Sequence, residues 1–147
     1  MKINIASNEV VHFIGIGGIG MSGLAQIMDN MGFKVQGSDL NPNKNTDRLI
    51  KSNIKVYFGH HQKNLKNATM VVISSAIKKN NSELIKAKNK QLPIFKRGEM
   101  LANIVSLKKN IVIAGSHGKT TTTSLVGNIL LESGLDPTVI NGGIINS

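Results

Sequence analysis

An α/β fold, a parallel sheet with helices on both faces followed by the start of a second α/β unit, is what this chain predicts. Three observations carry the reading. Short apolar or β-branched runs alternate with helical periodicity between Val10 and Ser106, the pattern of strands joined by crossover helices. Two glycine-rich turns, Gly15-Ile-Gly17-Gly18-Ile-Gly20 and Gly115-Ser-His-Gly118-Lys119-Thr120, each follow an apolar run and open a helix. An acidic residue, Asp39, stands at the tip of the second strand candidate, ~20 residues past the first glycines.

Taken in order, Val10-Val-His-Phe-Ile14 is the first strand. Met21, Leu24, Ala25 and Met28 then recur at i, i+3, i+4, i+7 spacing, with Met31 extending the stripe, so a helix lays one apolar face on the sheet until Gly32 ends it. Lys34 to Asp39 is the second strand. Pro42 to Asn45 is a turn-rich loop, after which Thr46 caps a short helix through Leu49 and Ile50. Lys55 to Phe58 is a short strand ending at Gly59-His60-His61, and Met70 to Ser75 a buried one that delivers Ser74, Ser75 and Ala76 to a loop. Ser82 caps a helix from Glu83 to Lys90, Pro93 to Phe95 is the last strand, and Gly98 to Val105 is a helix with Met100, Leu101, Ile104 and Val105 inward. In such a sheet ligands gather at the carboxyl ends of the strands, where the glycine turn, Asp39, His60 and Ser74 to Ala76 all fall.

The second unit opens with a strand at Ile111 to Ala114 and continues as a helix from Thr120 to Glu132, with Leu125, Ile129 and Leu130 inward and Gly134 as its stop. Pro137 to Ile140 begins another strand before Asn141-Gly142-Gly143. Below about 40 residues an unstapled segment rarely folds alone. The expected organisation is therefore a complete domain over 1–106, a junction at 107–110 and the truncated start of a second domain over 111–147.

Composition narrows the function. Cysteine is absent, which excludes a disulfide framework and a thiolate zinc site. No run reaches the ~18 apolar residues of a membrane span and no signal-peptide core is present, so a soluble, cytoplasmic protein without membrane insertion is expected. The formal net charge of +10 suggests nucleic acid, but the lysines are scattered and only one Tyr and four Phe are available for base stacking. Nucleic-acid binding is not expected; the excess charge suits polyphosphate ligands.

Both glycine turns are phosphate-binding candidates. In the second, backbone N–H groups of Gly115, Ser116, His117 and Gly118 converge, the new helix contributes the positive end of its dipole, Lys119 reaches β- and γ-phosphates, and the Thr120 hydroxyl ligates Mg²⁺, with Thr121 beside it. The spacing G-x-x-G-K-T is shorter than the usual G-x-x-x-x-G-K-[ST], whose first glycine would fall at Ile113. In the first turn, G-x-G-x-x-G with the following acid where a ribose hydroxyl would sit describes a nucleotide site, with a tight structural turn as the alternative. Several side chains keep two readings: His60-His61 as ligand contacts or a solvated turn, His117 as a loop residue or a catalytic base, Ser22 and Ser38 as ligand contacts or backbone caps.

With both glycine turns, Ser38-Asp39, Ser74-Ser-Ala-Ile77 and Asn141-Gly-Gly143 in view, the chain resembles the Mur ligase family of bacterial cell-wall synthesis from His12 to Gly143. The resemblance implies a Rossmann-like UDP-sugar-binding domain followed by the opening of a P-loop ATPase domain; the family's later acidic Mg²⁺ ligands and amino-acid domain are not matched. It implies ATP-dependent phosphorylation of the muramoyl carboxylate of UDP-N-acetylmuramate and attack of the L-alanine amine on the acyl phosphate. By resemblance Lys119 and Thr120 are catalytic, Gly17 and Gly18 approach the UDP diphosphate, Asp39 and His60 contact the uridine, and Ser38 is among the residues that bind the UDP substrate. Ser75 and Ala76 close over the phosphates, and Asn141 and Gly142 lie near the muramoyl end. The chain alone is expected to be inactive as a ligase. An NAD-dependent oxidoreductase, which leaves the Lys119 loop unexplained, and a non-catalytic nucleotide-binding module are the alternatives.

Overall fold

A computed structural model describes residues 9–141 and the backbone of 144–146. The chain divides into two compact units, Met1–Lys108 and Lys109–Ser147.

The first unit is a five-stranded, wholly parallel sheet in the order β3-β2-β1-β4-β5. Its strands are β1 (Val10–Ile14), β2 (Lys34–Asp39), β3 (Lys55–Phe58), β4 (Met70–Ile73) and β5 (Ile94–Lys96). Its helices are α1 (Ile19–Asn30), α2 (Lys44–Lys51), α3 (Ser82–Asn89) and α4 (Arg97–Ser106), with a 3-10 turn at Gln62–Leu65. Right-handed crossovers dictate the layers: the chain steps outward from β1 to β3 through α1 and α2, then returns to β4 and steps the other way through α3. Accordingly α1 packs beside α2 and α4, while α3 packs on the 3-10 turn.

The expected apolar stripe of α1 is buried: Met21, Leu24, Ala25 and Met28 are at most 2% exposed. Burying each large member stabilises the fold by about 1.5–3 kcal/mol, far more than helix propensity contributes in a helix that carries Gly20 and Gly23. Beneath α3 a second cluster joins Ile14, Leu65, Ala68, Val71, Leu84 and Ala87.

Two helix starts differ from expectation. Asn43, rather than Thr46, caps α2: its side chain accepts from the N–H groups of Asn45 and Thr46, and the Thr46 hydroxyl returns the bond to the backbone of Asn43. Asn81, rather than Ser82, caps α3 by accepting from Glu83 and Leu84. An amide oxygen reaches the N2 and N3 donors as well as a hydroxyl does, and in both places Asn stands earlier in the chain.

The second unit holds α5 (Lys119–Glu132) and a short antiparallel pair, β6 (Val139–Asn141) and β7 (Ile144–Asn146). The expected strand at Ile111 to Ala114 does not form, since a strand needs a neighbouring ladder and β6 pairs with β7 instead. Leu125 and Ile129, expected inward, are 58% and 62% exposed, and Leu130 is half-buried. Only Gly127 of α5 is buried, against Val139, so the helix has an apolar face but no sheet to cover it.

Candidate functional site

The sheet order reverses between β1 and β4, and the crevice outside their carboxyl ends is where parallel sheets place ligands. The glycine turn after β1 forms one wall. Gly15 and Ile16 both donate to the carbonyl oxygen of Ser38, at 2.8 and 2.9 Å, which ties the turn to β2. Gly17 N–H donates to Asp39 Oδ2 at 2.7 Å, and Asn45 Nδ2 donates to the Gly17 carbonyl at 2.8 Å. A Cβ on Gly17 would lie 2.5 Å from Asn43 Nδ2, 2.8 Å from Asp39 Oδ2 and 2.9 Å from Thr46 Cγ2, so only glycine fits. Asp39, whose Oδ1 also accepts from Leu40 N–H at 2.8 Å, thus holds the turn together. Because Gly17 donates to Asp39, the donors that helix geometry leaves open here are those of the first turn of α1, Ile19 and Gly20.

The loop after β4 forms the other wall. Ser74 packs against Gly15, with 3.1 Å between its Cβ and the position a Gly15 Cβ would take, and its hydroxyl accepts from Ala76 N–H at 3.3 Å. Ser75 and Ala76 stand exposed at its tip. A third participant escaped the sequence reading: Arg97, exposed at the start of α4, lies over Gly20, whose Cβ would meet Nη1 at 3.0 Å and Cζ at 3.3 Å. A guanidinium beside the N-terminus of α1 makes an electropositive mouth suited to phosphate oxygens.

Two serines with open readings are both buried. Ser38 is fully buried, its hydroxyl bonded to Glu83 Oε2 at 2.5 Å and to His60 Nδ1 at 2.9 Å, so it meets the crevice only through His60. Ser22 is also buried and bonds back to the Ile19 carbonyl at 3.1 Å, the backbone-capping alternative. His60 keeps a 12% exposed side chain at the end of β3, and Ser82 Oγ donates to its carbonyl oxygen. Glu83, also missed in the sequence, is fully buried: burial works to raise its carboxyl, but the bonds it accepts from His12, Ser38 and Asn64 outweigh that and hold it below the usual carboxylate range.

In the second unit the loop from Gly115 to Thr120 closes on itself. Lys119 Nζ donates to the carbonyl oxygens of Gly115 at 2.5 Å and Ser116 at 3.1 Å. Gly118 caps α5 in the left-handed region, φ 76°, a conformation that L side chains rarely adopt. His117 Nδ1 lies 3.2 Å from Ser116 Oγ, within the loop. Thr120 and Thr121 follow in the exposed first turn of α5, and Asn141 Nδ2 donates to Ser124 Oγ at 3.1 Å. Gly142 lies outside the described residues. A depression of about 400 Å³ lined by Gln62, Lys63, Lys66, Lys86 and Lys90 shares no residue with either loop.

The class the fold defines is a parallel α/β domain with a glycine turn at its switch point, followed by a Gly-Lys-Thr loop that opens a helix. The sequence pattern of the Mur ligase family, catalytic domain, matches residues 10–109, and the chain belongs to that family. It is 67% identical, over its whole length, to 32% of the UDP-N-acetylmuramate–L-alanine ligase of Pelagibacter ubique. Over its whole length it is also 54% identical to 31% of the Brucella ovis enzyme of the same name. The crystal structure of the UDP-N-acetylmuramate-alanine ligase from Thermotoga maritima superposes on 90% of this chain with a TM-score of 0.80 at 32% identity, matching 31% of that chain. The chain thus spans about a third of the length of the curated relatives it matches. No helix among the described residues is long and apolar enough to cross a membrane.

Proposed function

We propose that the first unit binds UDP-N-acetylmuramate and that the second opens the ATP-binding part of a cytoplasmic ligase that joins L-alanine to it. The observation that carries the reading is the crevice, where the Gly15–Gly20 turn, Ser75, Ala76 and Arg97 gather at one switch point. A nucleotide diphosphate has the charge and oxygen density that the first turn of α1, the Ser75-Ala76 backbone and Arg97 would bind. Asp39 fixes Gly17 and Gly18 in the wall against which the diphosphate lies, and His60 stands at the uridine side. Asn141 and Gly142 are assigned to the muramoyl end.

For ATP, the loop of Gly115, Ser116, His117 and Gly118 would cradle phosphates, with Lys119 exchanging its loop carbonyls for β- and γ-oxygens. The Thr120 hydroxyl makes no hydrogen bond among the described residues, and a lone exposed hydroxyl oxygen in the first turn of α5, beside Thr121, fits the hard-oxygen preference of Mg²⁺. Bound there, the ion would neutralise phosphate charge. Phosphoryl transfer depends on alignment and charge neutralisation, and Lys119 and the loop N–H groups are groups of that kind. The transfer moves the γ-phosphoryl group to the muramoyl carboxylate with release of ADP, and the L-alanine amine then displaces phosphate to form the amide.

Arg97→Ala tests the diphosphate site. The exposed side chain can be removed without opening the core, so calorimetry should show UDP-N-acetylmuramate bound about 1.5–3 kcal/mol more weakly with unfolding unchanged. Undiminished affinity would remove Arg97 from the site.

A further inference from the structure

Five buried side chains from four elements meet His60 in one network: His12, Gln36, Ser38, Asn64 and Glu83, all at most 9% exposed. No buried side-chain polar atom among the described residues lacks a partner, so the donors and acceptors can be followed one by one. Gln36 Nε2 donates to the Asn64 carbonyl at 2.9 Å, which fixes the amide with its nitrogen also facing His12 Nδ1 at 3.2 Å. His12 Nδ1 therefore accepts, and its proton sits on Nε2, facing Glu83 Oε2 at 3.4 Å. Asn64 Nδ2 donates to Glu83 Oε1 at 2.6 Å.

A carboxylate can only accept, so the single Ser38 hydroxyl proton goes to Glu83 Oε2, 2.5 Å away. Ser38 Oγ then has only lone pairs to offer His60 Nδ1 at 2.9 Å, and that nitrogen must carry the proton. The other ring nitrogen, Nε2, makes no hydrogen bond among the described residues and is not sealed from solvent.

We propose that Glu83, through Ser38 and through its own Oε2 3.4 Å from His60 Nδ1, is a positioning residue that holds His60 in the Nδ1–H tautomer, presenting Nε2 at the end of β3 as a hydrogen-bond acceptor for an N–H or O–H donor of the bound nucleoside. The ligand half rests on the UDP-sugar reading; the tautomer half does not. Which nitrogen of a histidine is free is set by what the other one bonds, and here that choice is made by a carboxylate that never reaches the surface. An imidazole with its proton on the outer nitrogen would instead repel the same donor.

Nitrogen-15 NMR of histidine-labelled 147-residue chain near neutral pH, with His60 assigned through His60→Gln, is the test. Without ligand, His60 should show a protonated Nδ1 and an unprotonated Nε2; the reverse pattern overturns the proposal. In Ser38→Ala the His60 proton should move wholly or partly to Nε2 while His12 keeps its own on Nε2, showing that the network around Gln36 is intact. An unmoved His60 proton with His12 intact overturns the role of Ser38, and if that variant does not fold the wild-type spectrum decides. With saturating uridine diphosphate, Nε2 should shift as an acceptor and stay unprotonated. N3-methyl and 2′,3′-dideoxy analogues separate the imide from the ribose hydroxyls, and the one lacking the donor should abolish the shift. An Nε2 that stays put when uridine diphosphate is bound overturns the acceptor role, whereas absence of binding counts against the UDP-sugar reading and leaves the tautomer to the ligand-free spectrum.

Discussion

Replacing Lys119 by alanine is expected to lower kcat about 10²-fold or more in a chimaera where this chain stands in for the matching N-terminal part of the Pelagibacter ubique ligase. On the proposed reading the lysine would set its positive charge against the negative charge that develops during phosphoryl transfer, and its loop position makes it dispensable for folding: among the described residues Nζ bonds only to the carbonyl oxygens of Gly115 and Ser116 on an exposed loop. UDP-N-acetylmuramate affinity should be nearly unchanged, because Arg97, Gly17 and Ser75 all belong to the first unit. Loss in kcat without loss of UDP-substrate binding is the signature of an interaction made chiefly in the transition state. A Lys119→Ala chimaera with normal turnover would show that the Gly115–Thr120 loop does not serve the nucleotide.

The largest effect on stability should come from Glu83. Glu83→Ala leaves the donors of His12, Ser38 and Asn64 without their shared acceptor, and a buried donor left without a partner costs about 1–3 kcal/mol. Urea unfolding is easily followed, since the one tyrosine, Tyr57, lies on β3 of the first unit and no tryptophan competes with it. The same carboxylate sets an acid limit. Its folded value lies below the unfolded one, so its contribution is fully present above the ordinary carboxylate range and is lost as pH falls through the depressed folded value. Wild-type chain should weaken through that acidic window, and Glu83→Gln should show less of this dependence. A Glu83→Ala chain as stable as wild type would mean that the network does not hold the sheet together.

The elements that position the site were legible because each carries its own periodicity: the β-branched run of β1, the Met21–Met28 stripe, the acid ending β2. Local competition blurred the caps, where Asn43 and Thr46, or Asn81 and Ser82, are all competent and backbone geometry selects the earlier one. What pattern reading missed depends on topology. Glu83 draws its partners from positions 12, 38 and 64, spacings that no motif describes, and Arg97 reads as an ordinary solvated charge until the fold brings it against Gly20. The Ile111–Ala114 run fails in the opposite sense. Its composition is that of a strand, but a strand exists only where a neighbour completes its ladder, and among the described residues of the second unit the pairing joins β6 to β7.

Calorimetric titration of the 147-residue chain with UDP-N-acetylmuramate and, separately, with NAD distinguishes a UDP-sugar from a dinucleotide in the crevice between β1 and β4. UDP-N-acetylmuramate should bind more tightly, because the Ser75-Ala76 loop and Arg97 would add diphosphate contacts to a glycine turn that either ligand can use. NAD bound equally well or more tightly would contradict the UDP-sugar assignment.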